Sequence, residues 1–234
     1  MATLNIFSAG AAQSVVTQIT GKFQRESGNL IHANFGAVGA MKARVVAGEP
    51  ADIIVLTAAL IDELIQQGYV VPGSRADLGK VGTGVAVRAG TPLPDVRDTR
   101  VLRGNLLAAT KVVCPDPAVA TAGKVVLGVL EKLGITEQVK PRLQYFPNGF
   151  AAMVDLAQST GILEMGITQI TEIAADKGVT LVGPLPAEVQ NIAVYSAGLS
   201  TRSAHPERAR EFIRRLTGFD AQAVLSAAGF EVGN

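Results

Sequence analysis

Short β-type runs alternate with segments of helical spacing over the first part of the chain, and this alternation constrains the fold more than any other feature. The runs LNIFS, LIHANF and ADIIVL are rich in the residues that strands favour. Between and after them, residues 12–26, 40–47 and 58–67 repeat apolar positions with helical periodicity. Strands that alternate with helices form βαβ units around a mostly parallel sheet. The sequence therefore predicts an α/β fold.

A second series of the same kind follows a long strand, KVGTGVAVRAG, that begins at Lys80. Its strands are KVVC, RLQYF and ILEMGIT, and its helices are predicted over 97–109, 121–133, 149–159 and 169–177. Pro184 and Pro186 then interrupt the chain, and a long strand over 189–199 leads to helices over 206–217 and 220–228.

The two long strands bracket a middle block, and this arrangement predicts two lobes. We expect two Rossmann-like lobes joined by two hinge strands, with residues 1–84 and 194–234 in one lobe and residues 85–193 in the other. Such an arrangement has a cleft between the lobes, where a ligand can be held from both sides.

Composition and charge exclude several classes of protein. Apolar residues make up 48% of the chain, charged residues make up 18%, and the formal net charge is +1. A disordered chain is excluded, and no bulk field exists to attract nucleic acid or anionic lipid. The apolar run Ile53–Ile61 is far shorter than the ~20 residues that span a bilayer, so we expect no direct membrane insertion. The single cysteine, Cys114, forbids an internal disulfide.

The amino-terminal segment has no basic residue before Lys22 and passes directly into a strand, so it lacks the pattern of a secretory leader. The sequence as it stands predicts a cytoplasmic protein, and a periplasmic one if a signal peptide has been removed.

Four turns between a predicted strand and a predicted helix are rich in glycine and alanine: SAGAAQ at 8–13, FGAVGA at 35–40, DPAVATAG at 116–123 and PNGFAA at 147–152. In open α/β sheets, ligands bind beyond the carboxyl ends of strands, where helix starts present unpaired N–H groups and a positive dipole end. Tight packing is the alternative reason for small residues at such turns. Since two turns fall in each predicted lobe, we expect them to bind one small anion.

The candidate ligand-binding residues come from these turns, with one cation in the second helix and one residue after a later strand. They are Ser8, Ala9, Gly10, Ala11, Val38, Gly39, Lys42, Thr121, Ala122, Gly123, Asn148, Gly149 and Gln169. Arg44, Arg88 and Lys124 are further cations that lie near helix starts or a strand end.

Catalytic and metal-binding patterns are sparse. The only histidines, His32 and His205, lie in a predicted strand and a predicted helix cap, so neither a Ser-His-Asp triad nor a histidine-rich metal site is expected. No nucleotide-binding glycine loop with its lysine is present, and we expect no cofactor. Glu164 is a weak acid–base candidate, and no catalytic pair is assigned.

Several segments resemble, in order, those of the periplasmic molybdate-binding proteins, which serve ABC transporters: NIFSAGAAQSVV, GAVGAMKARVVAGEPADIIVLTAALIDELIQQGYV, CPDPAVATAGKVVLGVLEKLGI and MGITQITE. The resemblance implies a type II periplasmic binding fold and, as a partner, a transporter membrane component. The family's two ligand serines fall on Ala11 and on Ala37 or Val38. Its ligand amides fall near Ala122 and Gly149, and its ligand tyrosine falls on Gln169. Because both serines and the tyrosine are absent, a carboxylate is a better candidate ligand than molybdate.

Other segments, namely SAG, VAVRAG with TPLPD, GITQITE and VGPLPAEVQNIAVYSAG, are more similar to a divergent branch that includes aconitate isomerase. This similarity implies a di- or tricarboxylate ligand. Three functions stay open: a binding protein for such an anion or for an oxyanion such as molybdate, an isomerase that moves a proton on a tricarboxylate, and an intracellular sensing domain. The third ranks last because no DNA-binding helix pair is attached.

Overall fold

Strands and helices alternate along residues 2–233, which the computed structural model describes. The strands in this part of the chain are Thr3–Ala9 (β1), Leu30–Gly36 (β2), Ile53–Thr57 (β3), Ala76–Arg88 (β4), Lys111–Pro115 (β5), Leu143–Phe146 (β6), Glu164–Gln169 (β7), Val179–Pro184 (β8) and Ile192–Leu199 (β9). The α-helices are Gln13–Ser27 (α1), Val38–Val46 (α2), Ala58–Gln66 (α3), Thr99–Ala108 (α4), Thr121–Lys132 (α5), Thr136–Val139 (α6), Gly149–Ala157 (α7), Ile170–Ala174 (α8), Pro206–Thr217 (α9) and Gln222–Ala227 (α10).

The chain divides into two compact units. Unit 1 comprises residues 1–81 and 193–234, and unit 2 comprises residues 82–192. The first division falls inside β4 and the second falls near the start of β9. From the sequence, we expected the chain to pass from one lobe to the other between residues 84 and 85 and again between residues 193 and 194.

Unit 1 is built on the strand order β2-β1-β3-β9. β1 pairs in parallel with both β2 and β3, whereas β9 pairs antiparallel with β3. The residues Ile53–Thr57 of β3 are all buried, as expected for a strand that is covered on both faces. Phe23 of α1 contacts Phe212 of α9 edge to face, with ring centroids 5.3 Å apart.

Unit 2 is built on a second sheet, in which β4 pairs antiparallel with β7 and β8. β5 lies between β7 and β6 and is parallel to both. Successive residues of a strand point to opposite faces. Accordingly, Val112 and Cys114 pack in one apolar cluster with α4 and α5, while Val113 packs in a separate cluster with α7. The sheet is therefore covered by helices on both faces.

The predicted α/β fold class is confirmed, and most predicted elements are found. Gly28, Gly48 and Gly68, which follow α1, α2 and α3, have φ angles of 68°, 85° and 79°, the left-handed conformation that glycine favours at helix ends. α9 begins at residue 206 as predicted, with Pro206 and Glu207 in its first turn.

Pro184 and Pro186 interrupt the chain as predicted, because β8 ends at Pro184. The strand before them was missed from the sequence, since Val179–Pro184 forms β8, which pairs with β4. Pro184 is the last residue of this strand, a position at which a proline is tolerated. The predicted start of β9 at residue 189 is also wrong, because the N–H of Val189 donates to the Pro186 carbonyl in a turn. The strand begins at Ile192.

Candidate functional site

The two candidate turns of unit 1 lie side by side at one edge of its sheet. β1 and β2 are parallel, and their last residues, Ala9 and Gly36, are register partners. A 3₁₀ turn, Gly10–Ala12, leads from β1 into α1, and Ala37 leads from β2 into α2. No side chain caps either helix start. The first N–H groups of both helices therefore lack intrahelical partners next to the positive dipole ends.

The donors at this edge belong to the backbone. Ser8 is fully buried, and its hydroxyl donates to the carbonyl oxygen of Ala9 at 3.1 Å. Ala9 and Ala11 are buried as well, whereas Gly39 in the first turn of α2 is exposed. The structure thus brings these predicted residues to one edge of the sheet, but the Ser8 hydroxyl donates to the backbone of the next residue.

Lys42 has a partner within unit 1. Its ammonium nitrogen lies 2.5 Å from Oε1 of Glu63 in α3. The hydrogen bond from Lys42 is the main reason that the pKa of Glu63 lies below its ordinary value. The ammonium charge of Lys42 is thus paired with a carboxylate of the same unit, and its contact with an anion stays a prediction.

Three strands of unit 2 end at one edge of its sheet. Pro115 of β5 and Phe146 of β6 are register partners in a parallel pair, and β7 is parallel to β5 on the other side. α5 leaves β5 toward one face of the sheet, and α7 leaves β6 toward the other. In open α/β sheets, such a reversal between neighbouring strands opens a crevice where ligands bind.

The start of α5 is open. Ala120 precedes it in extended conformation, no side chain caps it, and its first residue, Thr121, is exposed. Gly123 packs against the preceding loop so closely that a Cβ atom would lie 2.6 Å from the nitrogen of Pro117. Glycine is required there by packing, so one of the small residues predicted to serve a ligand also has a structural purpose.

The start of α7 is already engaged by the protein. The Asn148 side chain accepts a hydrogen bond from the N–H of Ala151 at 2.8 Å, as a helix-capping asparagine does. The carboxyl group of Glu172, in the first turn of α8, accepts from the Thr168 hydroxyl at 2.5 Å. The N–H groups of Gly149 and Gln169 also donate to this carboxyl group. The Gly149 amide, which we expected to be available to a ligand, thus binds an internal acid.

Glu172 is one of four buried polar residues at the end of β7 and the start of α8, which we call the β7–α8 cluster: Thr168, Gln169, Thr171 and Glu172. Burial raises the pKa of Glu172 above its ordinary value, although its three hydrogen bonds oppose this shift. Oε1 of Gln169 and Oγ1 of Thr171 are buried without a hydrogen-bond partner. Buried polar atoms without partners are rare, so they mark a candidate site.

Sequence reasoning found Gln169 but missed Glu172. Glu172 lies in the predicted helix over 169–177. An acidic residue near a helix start is usually exposed to solvent, so nothing in the sequence indicated a buried one. An acidic residue in the first turn of a helix was the available signal. Its contact with Gly149, more than twenty residues earlier in the chain, has no signature in the sequence.

Three further candidates lie away from these turns or have ordinary roles. Thr83 of β4 is the register partner of Gln169, so the antiparallel pairing carries Arg88 toward the opposite edge of the sheet. Glu164 is at the start of β7, and its carboxylate accepts from the N–H of Gly161 at 3.2 Å. Cys114 is buried, and desolvation, with a smaller contribution from Asp116, raises its pKa to about 12.

The arrangement defines a class of protein, namely a two-unit α/β binding protein with uncapped helix starts at the carboxyl edge of each sheet. Among the described residues, no helix combines the length and apolar character needed to cross a membrane. Within the same residues, no group of three or more histidine, cysteine or acidic side chains is arranged to hold a metal ion.

Comparison with known proteins gives consistent results. The family model of the bacterial extracellular solute-binding proteins matches residues 4–231. An aconitate isomerase from a Pseudomonas species is 27% identical, with 98% of this chain and 87% of that protein covered. The molybdate-binding protein ModA of Escherichia coli (strain K12) is 22% identical, with 98% and 89% covered. The periplasmic molybdate-binding protein of Azotobacter vinelandii superposes with a TM-score of 0.83 at 22% identity, with 99% of this chain and 100% of that one covered.

The chain belongs to the family of bacterial extracellular solute-binding proteins. Its fold is that of the periplasmic binding proteins, and the resemblance to the molybdate-binding proteins and to the branch that includes aconitate isomerase is confirmed.

Proposed function

We propose that this protein binds a small organic acid, a di- or tricarboxylate, through backbone amides at uncapped helix starts. Unit 1 has such starts at α1 and α2, and unit 2 has one at α5. The observation that carries the proposal is the pairing of parallel strands in each unit, with Ala9 beside Gly36 and Pro115 beside Phe146. In unit 1 this register sets two uncapped helix starts, those of α1 and α2, next to each other. In unit 2 it sets the uncapped start of α5 beside the start of α7, which Asn148 caps. A carboxylate at a helix start accepts N–H groups that the helix itself leaves unpaired, and it gains from the dipole.

A carboxylate suits these turns better than a tetrahedral metal oxyanion does. Ala11, Ala37 and Val38 stand where the resemblance places the serine ligands of the molybdate-binding proteins, and none of them has a hydroxyl group. The Ser8 hydroxyl donates to the chain. An oxyanion held only by amides keeps unpaired oxygens, and each such oxygen costs about 1–3 kcal/mol in a site without water.

The location and partner follow from the family. We propose that the protein acts outside the cytoplasm and delivers its ligand to the membrane component of an ABC transporter. The family's description as extracellular solute-binding proteins supports this assignment.

A thermal-shift panel of citrate, cis-aconitate, trans-aconitate, molybdate and sulfate tests the proposal. A ligand at ~100 times its dissociation constant stabilises the folded protein by about 2.7 kcal/mol. For a chain of this size that corresponds to an increase of about 5–10 °C in the melting temperature. We expect the increase with at least one of the three organic acids. An increase with molybdate or sulfate alone would refute the carboxylate assignment.

An isomerase that acts on a tricarboxylate is the second candidate function. The 27% identity to an aconitate isomerase over nearly the whole chain favours it. The reaction needs a base that removes a proton from the carbon next to the double bond and returns it to the other end of the allylic system. Glu172 is suited to proton transfer because burial raises its pKa. Ultraviolet absorbance of trans-aconitate with time distinguishes the two functions, since a binding protein leaves the spectrum unchanged.

A further inference from the structure

An internal carboxyl group fills the space in front of the α7 start. The side chain of Glu172 lies so close to Gly149 that a Cβ atom added there would collide with Oε2 of Glu172 and with Oγ1 of Thr168. Glu172 itself is 6% exposed, and its hydrogen bonds to Thr168 and to the Gly149 amide fix its position. No oxygen atom of a ligand fits between the Gly149 amide and this carboxyl group.

Glu172 also lies at the same edge of the sheet as the open start of α5. It is on α8, which follows β7, and it reaches the start of α7, which follows β6. β5 lies between β7 and β6 in the sheet. The carboxyl group therefore joins the turns on both sides of the strand that leads into α5.

We infer that Glu172 determines ligand specificity in unit 2 by excluding compact tetrahedral dianions, such as molybdate and sulfate, and by leaving organic acids as the accepted class. The inference rests on the proposed binding of an anion at the helix starts. To that proposal it adds the residue that rejects oxyanions such as molybdate, which relatives of this chain bind.

Charge distribution is the physical basis of this selection. A tetrahedral dianion carries negative charge on every oxygen, so any orientation at the α5 start faces some of that charge toward Glu172. An organic acid separates its carboxylates by carbon atoms. It can direct one carboxylate to the amides of Thr121 and Ala122 and turn carbon or a hydroxyl group toward Glu172. Rejection by an unfavourable charge contact is a common source of specificity.

The unpaired atoms of the β7–α8 cluster agree with a selection of organic acids over tetrahedral oxyanions. Oε1 of Gln169 is a buried acceptor that has no partner, and it lies at the same strand end as Glu172. An amide oxygen and a carboxyl group cannot both be satisfied by an anion that has only acceptor oxygens. A hydroxyl or protonated carboxyl group of an organic acid can donate to either of them.

Isothermal titration of the full chain with molybdate, sulfate, citrate and trans-aconitate tests the inference in the wild type and in three variants. Glu172→Gln keeps the shape of the side chain and removes its charge. Glu172→Asp keeps the charge. Glu164→Gln is the matched control, because it removes a carboxylate at the far end of β7, the strand that leads into the helix of Glu172. Circular dichroism and the melting temperature verify that each variant is folded.

We expect Glu172→Gln to bind molybdate or sulfate at least ~10-fold more tightly than the wild type, since the repulsion between like charges is relieved. Glu172→Asp and Glu164→Gln should keep the weak oxyanion binding of the wild type. Unchanged oxyanion affinity in Glu172→Gln would overturn the inference, as would wild-type binding of molybdate as tight as that of the organic acids.

The same titrations separate this inference from the proposed function. If neither citrate nor trans-aconitate binds the wild type while Glu172→Gln gains oxyanion binding, the organic-acid assignment fails and the role of Glu172 stands. If the organic acids bind but Glu172→Gln gains no oxyanion affinity, the role of Glu172 is refuted and the organic-acid assignment stands. Should Glu172→Gln fail to fold, tight oxyanion binding by Glu172→Asp would overturn the inference, because this variant retains the charge.

Discussion

Replacing Thr121 by proline removes one proposed ligand donor with little change to the fold. Thr121 is the first residue of α5, where proline is well tolerated because its missing N–H would have no intrahelical partner. The preceding residue, Ala120, has φ −122° and ψ 127°, a conformation that proline allows before it. The Thr121 side chain is exposed and makes little packing contact.

The expected loss of affinity follows from the donor that is removed. A hydrogen bond to a charged group contributes about 1.5–3 kcal/mol, and 1.4 kcal/mol corresponds to about tenfold in affinity. Thr121→Pro should therefore weaken binding of citrate or trans-aconitate by about 10- to 150-fold. Its free energy of unfolding should stay equal or rise by about 0.4–1 kcal/mol, because proline restricts the unfolded chain.

Thr99→Pro is the matched control. Thr99 is the first residue of α4, and Asp98 before it is also extended, with φ −130° and ψ 162°. α4 follows none of the candidate turns, so this variant makes the same chemical change outside the proposed site. Isothermal titration measures affinity, and urea unfolding measures stability. The reasoning is refuted if Thr121→Pro binds as tightly as the wild type, or if Thr99→Pro weakens binding to the same extent.

Three further predictions concern stability and reactivity. Burial raises the pKa of Glu172 in the folded protein. Its contribution to the free energy of unfolding is therefore complete below the pKa that it has in the unfolded chain, and it is lost as the pH rises through its pKa in the folded protein. Urea unfolding between about pH 4 and pH 8 should show a steeper decrease for the wild type than for Glu172→Gln, and equal slopes would contradict this. Cys114, with a pKa raised to about 12, should react with a thiol reagent only after unfolding, and rapid labelling of the native protein would disagree. Phe212→Ala should lower the free energy of unfolding by about 3–5 kcal/mol, because Phe212 is fully buried against Phe23, and a loss below about 1 kcal/mol would show that the core relaxes to fill the space.

The fold could be predicted because its signals are local. Apolar β-runs, helical spacing and glycines such as Gly28 each depend on a few consecutive residues, and the structure realises them as predicted. β8 was missed because its residues, Val179–Pro184, end in proline and pair only with the distant β4. Pairing with a strand that is distant in the sequence leaves no pattern within the segment itself.

The candidate site could be predicted only in part, for a similar reason. Turns that present backbone amides are visible as small residues between a strand and a helix. The partners of side chains are not visible, so the ion pair between Lys42 and Glu63 could not be foreseen. Arg88 was identified as a cation at a strand end, but only the antiparallel direction of β4 shows that it lies toward the other edge.

The two units differ in the charges that lie near their helix starts. In unit 1, Ala9, Gly10 and Ala11 bring no charge to the helix starts, and Lys42 of α2 is paired with Glu63. Unit 2 instead has an acid, Glu172, at its own helix starts. Amides alone accept any anion, since the dipole distinguishes only the sign of a charge. An unfavourable contact is one source of selectivity among anions. Because Glu172 is the acidic group that meets the Gly149 amide, the inferred discrimination between oxyanions and organic acids is expected to depend on unit 2.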